Sequence, residues 1–138
     1  MFLDTDVLTW LFFKKPAVVE RRDAVPDTIA VGLTVVSRAE LLGGRLDAIL
    51  KADTPLRVVQ AQERLWKTDV FLAGFGPPAP LDADSAALFF DLRSQRPFAR
   101  TGRADLMNAA IAIVHGATLV TRNVRDYERI PRLKLETW

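Results

Sequence analysis

An α/β fold, with a parallel central sheet and helices on both faces, is predicted by three features of the sequence. Short apolar segments of strand type recur at Met1–Leu3, Ile29–Leu33, Thr118–Thr121 and Leu133–Leu135. The stretches between them carry apolar residues at helical spacing, and right-handed crossovers of that kind lay helices over both faces of a parallel sheet. Acidic or polar residues follow a strand or open the next helix at Asp4, Glu40 and Asn123–Asp126, the places where sites collect in such sheets.

The first apolar segment runs straight into Asp4-Thr5-Asp6, after which Val7, Leu8, Leu11 and Phe12 recur at helical spacing, so it reads as a strand, a polar turn and a helix. Pro16 ends or redirects that helix, and Val18–Arg22 forms another short one before Pro26. Ile29–Leu33 is a buried strand, and Ser37 opens a helix carrying Leu41, Leu42, Leu46 and Ile49, with Ser37-x-x-Glu40 fitting a capping box. Val58, Val59, Leu65 and Trp66 predict a helix over 55–72, which the loop Gly74-Phe75-Gly76-Pro77-Pro78 breaks. Helices over 82–96 and 105–115 follow, the second rich in alanine and isoleucine, then a strand at Thr118–Thr121 and an edge strand at Leu133–Leu135. No repeat or interdomain linker interrupts this order, so residues 1–138 are read as one domain.

The 138 residues, 49% of them hydrophobic, are enough for one buried core. No run approaches the roughly 20 apolar residues of a membrane-spanning helix, and a cytoplasmic protein with no membrane partner is expected. The absence of cysteine removes disulfides, thiolate ligands and cysteine nucleophiles, and His115, the single histidine, leaves no ligand set for structural zinc. His115 is read as a dipole partner at a helix C-terminus. Trp10, Phe12, Phe13, Trp66 and the Phe89-Phe90 pair are read as packing or dimer contacts. The net charge of +2 predicts no nucleic-acid binding by itself, but the arginines crowd between Arg93 and Arg132 and as a group can meet phosphates.

The acids at the strand ends fit a hard cation. Magnesium prefers oxygen ligands, takes one or two direct carboxylates and keeps several waters, which further acids can hold. Bound beside a phosphate, it lowers the pKa of a water and stabilises charge on the reacting oxygens. Each acid also has a structural reading. Asp4 can cap the first helix, Glu40 can close the capping box, Asp105 can favour a helix dipole, and Asp126 can pair with a neighbouring arginine.

Linked motifs resemble the PIN-domain ribonucleases of the VapC toxin type. Phe2-Leu3-Asp4-Thr5-Asp6-Val7-Leu8 resembles their opening, usually Leu-Asp-Thr-Asn-Val, and Val36-Ser37-Arg38-Ala39-Glu40-Leu41 resembles their second acidic motif. Asp105-Leu106-Met107-Asn108-Ala109-Ala110-Ile111-Ala112 resembles the third, and Gly116–Asn123 with Asp126-Tyr127 the fourth, followed by family-like Ile130–Leu133 and Glu136–Trp138. The resemblance implies a PIN domain acting as a magnesium-dependent endoribonuclease, with manganese as the alternative ion. It also implies a toxin paired with a VapB-type antitoxin, and a homodimer.

In that reading Asp4, Glu40, Asp105 and Asp126 are catalytic, with Asp4 and Asp105 touching the metal. Thr5, Asp6 and Asn123 support them, and Arg103 and Arg122, each beside an acidic motif, contact RNA phosphates. Three positions depart from the pattern. Asp6 stands where asparagine is usual, Asn108 replaces an apolar residue and needs a polar partner if buried, and the fourth acid falls at Asn123 or Asp126, of which only Asp126 carries charge. Two other functions compete. A non-catalytic PIN scaffold would bind RNA or protein without metal. Asp4-Thr5-Asp6 also resembles the first motif of haloacid-dehalogenase-type phosphatases, with Asp4 as nucleophile and Asp6 as acid or base, but no Gly-Asp-x-x-x-Asp motif follows.

Overall fold

The computed structural model describes residues 1–98 and 100–138. Strand β1 (Phe2–Leu3) leads into α1 (Thr5–Phe12) and α2 (Pro16–Asp23). Strand β2 (Gly32–Leu33) is followed by α3 (Val35–Leu50), α4 (Pro55–Ala73) and α5 (Ala83–Ser94), then a 3₁₀ turn at Arg96–Phe98 and α6 (Arg103–Val114). Strand β3 (Thr118–Val120), the short α7 (Val124–Tyr127) and β4 (Lys134–Glu136) complete the order.

The four strands form one parallel sheet in the order β2-β1-β3-β4. Side chains alternate across it with period two. Leu3, Leu33 and Val120, in register, pack on one face with Val7, Leu8, Val18, Leu41 and Leu72; Phe2 and Leu119, also in register, pack on the other with α5 and α6. Both faces are therefore covered by helices, as the strand–helix alternation predicts. The chain leaves β1 for β2 on one side and returns to β3 on the other. This reversal opens a crevice beyond the carboxyl ends of β1 and β3, where ligands bind in parallel sheets.

Several boundaries differ from the sequence reading, each for a local reason. The helix after β2 begins at Val35 because Thr34 caps it, its Oγ1 accepting the Ser37 amide at 3.0 Å. Ser37 is thus inside the first turn and no capping box with Glu40 forms, so the Glu40 carboxylate is left to face elsewhere. The second strand shrinks to Gly32–Leu33, but Ala79 in the glycine–proline loop bridges Thr34 in parallel, with Ala79 N donating to Leu33 O and Val35 N to Ala79 O, each at 2.9 Å. Gly116, at φ +61°, ends α6, where the Ala117 amide donates back to Ala112 O at 2.9 Å and turns the chain into β3. Phe90 and Trp66 are largely exposed and not core residues, with Phe90 edge-on to the buried Phe89 at 5.1 Å. No helix among them is long and apolar enough to cross a membrane.

Candidate metal centre

The crevice is a cleft of about 260 Å³ lined by Asp4, Thr5, Asp6, Thr9, Glu40, Asp105 and Asn123. Asp4, Thr5 and Asp6 come from the β1–α1 junction, Glu40 from α3, Asp105 from α6 and Asn123 from the turn after β3. They lie far apart in the sequence and meet only because the sheet brings the ends of β1 and β3 together.

Asp4 lies deepest, 5% exposed. It both caps α1 and faces the cleft, so the structural and functional readings of this residue coexist. Its Oδ1 accepts the Thr5 amide at 2.8 Å and the Asn108 Nδ2 at 3.3 Å, while Oδ2 accepts the Thr121 hydroxyl at 2.8 Å. Asn108 and Thr34 are fully buried, and the Thr34 hydroxyl donates to Asn108 Oδ1. That donation orients the amide so that its NH₂ group points at Asp4. The buried polar partner that Asn108 needs is therefore a carboxylate on one side and a hydroxyl on the other.

The other acids are held by single donors. Thr5 Oγ1 donates to Glu40 Oε2 at 2.8 Å, and the Tyr127 hydroxyl donates to Asp105 Oδ1 at 3.1 Å. Burial, with the charges of Asp4 and Asp105, pushes the Tyr127 pKa up, so it stays a donor. Asp105 sits in the first turn of α6, and a Cβ at the preceding Gly102 would overlap its Oδ2. Asp6 accepts the amides of Val7 at 2.6 Å and Arg122 at 3.0 Å, which ties the start of α1 to the turn after β3. Asn123 lines the cleft, but its amide donates to Asp126, which lies outside the cleft behind it and forms no ion pair among the described residues. Arg103 stacks on Phe89 at 5.2 Å and Arg122 on Trp10 at 3.2 Å from the ring centroids. His115 caps the far end of α6, its Nδ1 2.9 Å from Ile111 O.

Sequence reasoning assigned no role to Thr121, Tyr127 or Thr34. The signals were the polarity of Thr121 and Thr34 at strand ends and the place of Thr121 and Tyr127 within the fourth motif.

Burial raises the carboxyl pKa of Asp6, Glu40 and Asp105, reinforced by the charge of Asp4 on all three and opposed by the hydrogen bonds just described. A carboxylate raised in the folded state contributes stability that is present below its unfolded value, near 4, and lost as pH climbs through the folded value. Without metal, Asp105→Asn is expected to melt progressively higher than wild type as pH climbs from about 4 through the folded pKa of Asp105, and to keep that lead above it. Parallel melting curves for the two proteins over that range would remove the repulsion from the account.

The donor set is oxygen alone, which suits a hard cation. Among the described residues no three acids are placed to ligate one ion together. Magnesium requires no such trio, since one or two carboxylates with waters complete its shell.

The chain matches the PIN-domain family model over residues 1–133. It is similar to Ribonuclease VapC2 of Rickettsia felis, 51% identical over 37 residues that make up 27% of this chain and 28% of that protein, so the match spans under a third of the relative. Among solved structures, it resembles a chain of VapBC2 from Rickettsia felis bound to a DNA fragment from their promoter, with a TM-score of 0.77 and 26% identity over 99% of this chain and 97% of that one. DNA-bound VapBC from Salmonella typhimurium superposes with a TM-score of 0.77 at 24% identity, over 99% and 96% of the two chains. FitAcB from Neisseria gonorrhoeae gives 0.72 at 24%, over 97% and 94%. With its sheet order, its acid-lined crevice and a family match along nearly its whole length, the chain belongs to the PIN-domain family.

Proposed function

We propose that this protein is a magnesium-dependent endoribonuclease, the toxin of a VapBC-type pair. The observation that carries the reading is the pinning of Asp4: three donors fix its carboxylate at the sheet's reversal point, with Glu40 and Asp105 lining the same cleft. Asp4 and Asp105 would hold the ion directly, and Glu40 and Asp6 its waters; manganese would suit the same oxygens. When bound, such an ion supplies Lewis-acid charge beside a phosphodiester and lowers the pKa of a water in its shell. The chain's own residues preorganise that chemistry. Thr121 and Asn108 hold Asp4 in one rotamer, Tyr127 donates to Asp105 as a neutral phenol, and Thr5 keeps Glu40 turned into the cleft. Asp126 contributes charge from one layer further out, through Asn123.

The phosphatase reading of Asp4-Thr5-Asp6 loses its support, since Asp6 is tied to two backbone amides and the fold is that of the PIN family. The VapBC assemblies among the similar structures support a small antitoxin as partner. RNA as substrate and a homodimeric state belong to the same proposal.

The test is cleavage of RNA by purified protein with magnesium and after chelation. Cleavage that survives chelation would favour a different chemistry, and no cleavage together with no metal binding by calorimetry would favour the non-catalytic scaffold. Within the site, Asp126→Asn is expected to raise the magnesium concentration for half-maximal cleavage about 10- to 100-fold. Asn123→Ala, which frees Asp126 to move, should shift it in the same direction. An unshifted requirement in Asp126→Asn would place that residue outside the site.

A further inference from the structure

Folding makes the arginines of the last third of the chain unequal. The guanidinium groups of Arg103 and Arg122 lie over the rings of Phe89 and Trp10. Arg100, Arg125 and Arg129, exposed as Arg103 and Arg122 also are, instead line one pocket of about 150 Å³ together with Asp126 and Phe98. Among the described residues the ion pairs are Arg38–Asp69, Lys51–Asp47, Arg57–Asp53 and Lys67–Glu63, and none involves these three arginines. Asp126 turns one carboxylate oxygen to the Asn123 amide, not to a guanidinium.

That hydrogen bond also fixes where the pocket lies. Asn123 is on the wall of the acidic cleft and Asp126 on the wall of the arginine pocket, so the hydrogen bond between these two side chains joins the walls of the two concavities.

We propose that the arginine pocket is a subsite for an RNA backbone phosphate neighbouring the one presented to the acidic cleft. The proposal rests on the ribonuclease reading above. A cleft lined by Asp4, Asp6, Glu40 and Asp105 repels a polyanion, and one divalent cation neutralises only part of that charge. Compensating charge must lie where the strand continues. Guanidinium groups suit it, because their N–H forks take phosphate oxygens in pairs. With phosphate as the only group recognised, the interaction is independent of base sequence. An acidic segment of a protein partner carries the same charge, but the pocket's place beside the cleft favours the strand that must lie in that cleft.

The experiment uses the full chain carrying Asp4→Asn, which prevents cleavage, and a short single-stranded RNA of mixed sequence, with binding followed by fluorescence anisotropy over a range of salt. Adding Arg125→Ala and Arg129→Ala together is expected to weaken binding about 10- to 100-fold, and to flatten the plot of log K against log salt by about 0.7 for each phosphate no longer neutralised. Replacing both by lysine should restore the slope while recovering affinity only in part, which separates charge from a folding defect. Arg57→Ala, on α4, should change neither quantity. Unchanged affinity and slope in the double alanine variant overturn the subsite, as does a loss of binding confined to an acidic peptide such as poly-glutamate. If wild type cleaves no RNA and the Asp4→Asn protein binds none, the ribonuclease reading itself fails and takes the subsite with it.

Discussion

Asp4→Asn and Asp105→Asn are each expected to lower RNA cleavage by more than about 1,000-fold, or about 4 kcal/mol of transition-state stabilisation. The melting temperature should stay at or slightly above that of wild type. The loss follows from replacing an anionic oxygen with a neutral amide, a far weaker ligand for magnesium at nearly the same volume. The retained stability follows from the hydrogen bonds. Asparagine at position 4 still caps α1 through the Thr5 amide, and its NH₂ can donate to Thr121, whose hydroxyl turns to accept. Asparagine at position 105 still accepts from Tyr127. Each change also removes one of the charges that push the neighbouring carboxyls up. Single-turnover cleavage at saturating magnesium, beside thermal melts, checks both halves. Wild-type rates in either variant would sink the proposed centre.

Asn108→Leu has the next largest expected effect, because it restores the apolar residue usual at this place and removes the donor that orients Asp4. Cleavage and metal affinity should each fall about 10- to 100-fold, the range for losing a group that positions a ligand. Stability should drop by about 1 kcal/mol, since the Thr34 hydroxyl loses its shorter acceptor and keeps only the Ser37 hydroxyl at 3.2 Å, while Asp4 loses a donor. Thr34→Val should reproduce part of the functional loss by freeing the Asn108 amide to rotate. Calorimetric titration with manganese distinguishes positioning from packing: a variant that is less stable but binds the ion as tightly as wild type would make Asn108 a core residue only.

The sheet and its two covered faces could be read from the chain because burial imposes a period on the sequence. Phe2 and Leu3, like Leu119 and Val120, send neighbouring side chains to opposite cores, and both must be apolar when both faces are covered. The acids at the ends of those strands were legible for a related reason, as charge set at strand ends needs a function or a cap. Asp4 turned out to serve as both. Other features were decided locally but ambiguously: Thr34 and Ser37 can each cap a helix, and only the bridge from Thr34 to Ala79 selects the first.

The rest belongs to the tertiary structure. The bonds from Asn108 and Thr121 to Asp4 span 104 and 117 residues, and Asp105 meets Tyr127 across 22. No periodicity encodes such pairs. Threonine, asparagine and tyrosine are ordinary in any surface turn, and they acquire a partner only when β1 and β3 lie side by side and α6 crosses their ends. The arginines show the same division. Their crowding is visible in the sequence, whereas the separation of ring-stacked Arg103 and Arg122 from the pocket of Arg100, Arg125 and Arg129 comes from packing. Hydrophobic burial depends on a residue's type and so leaves a pattern along the chain, while a hydrogen bond depends on the position of two atoms, which only the folded chain defines.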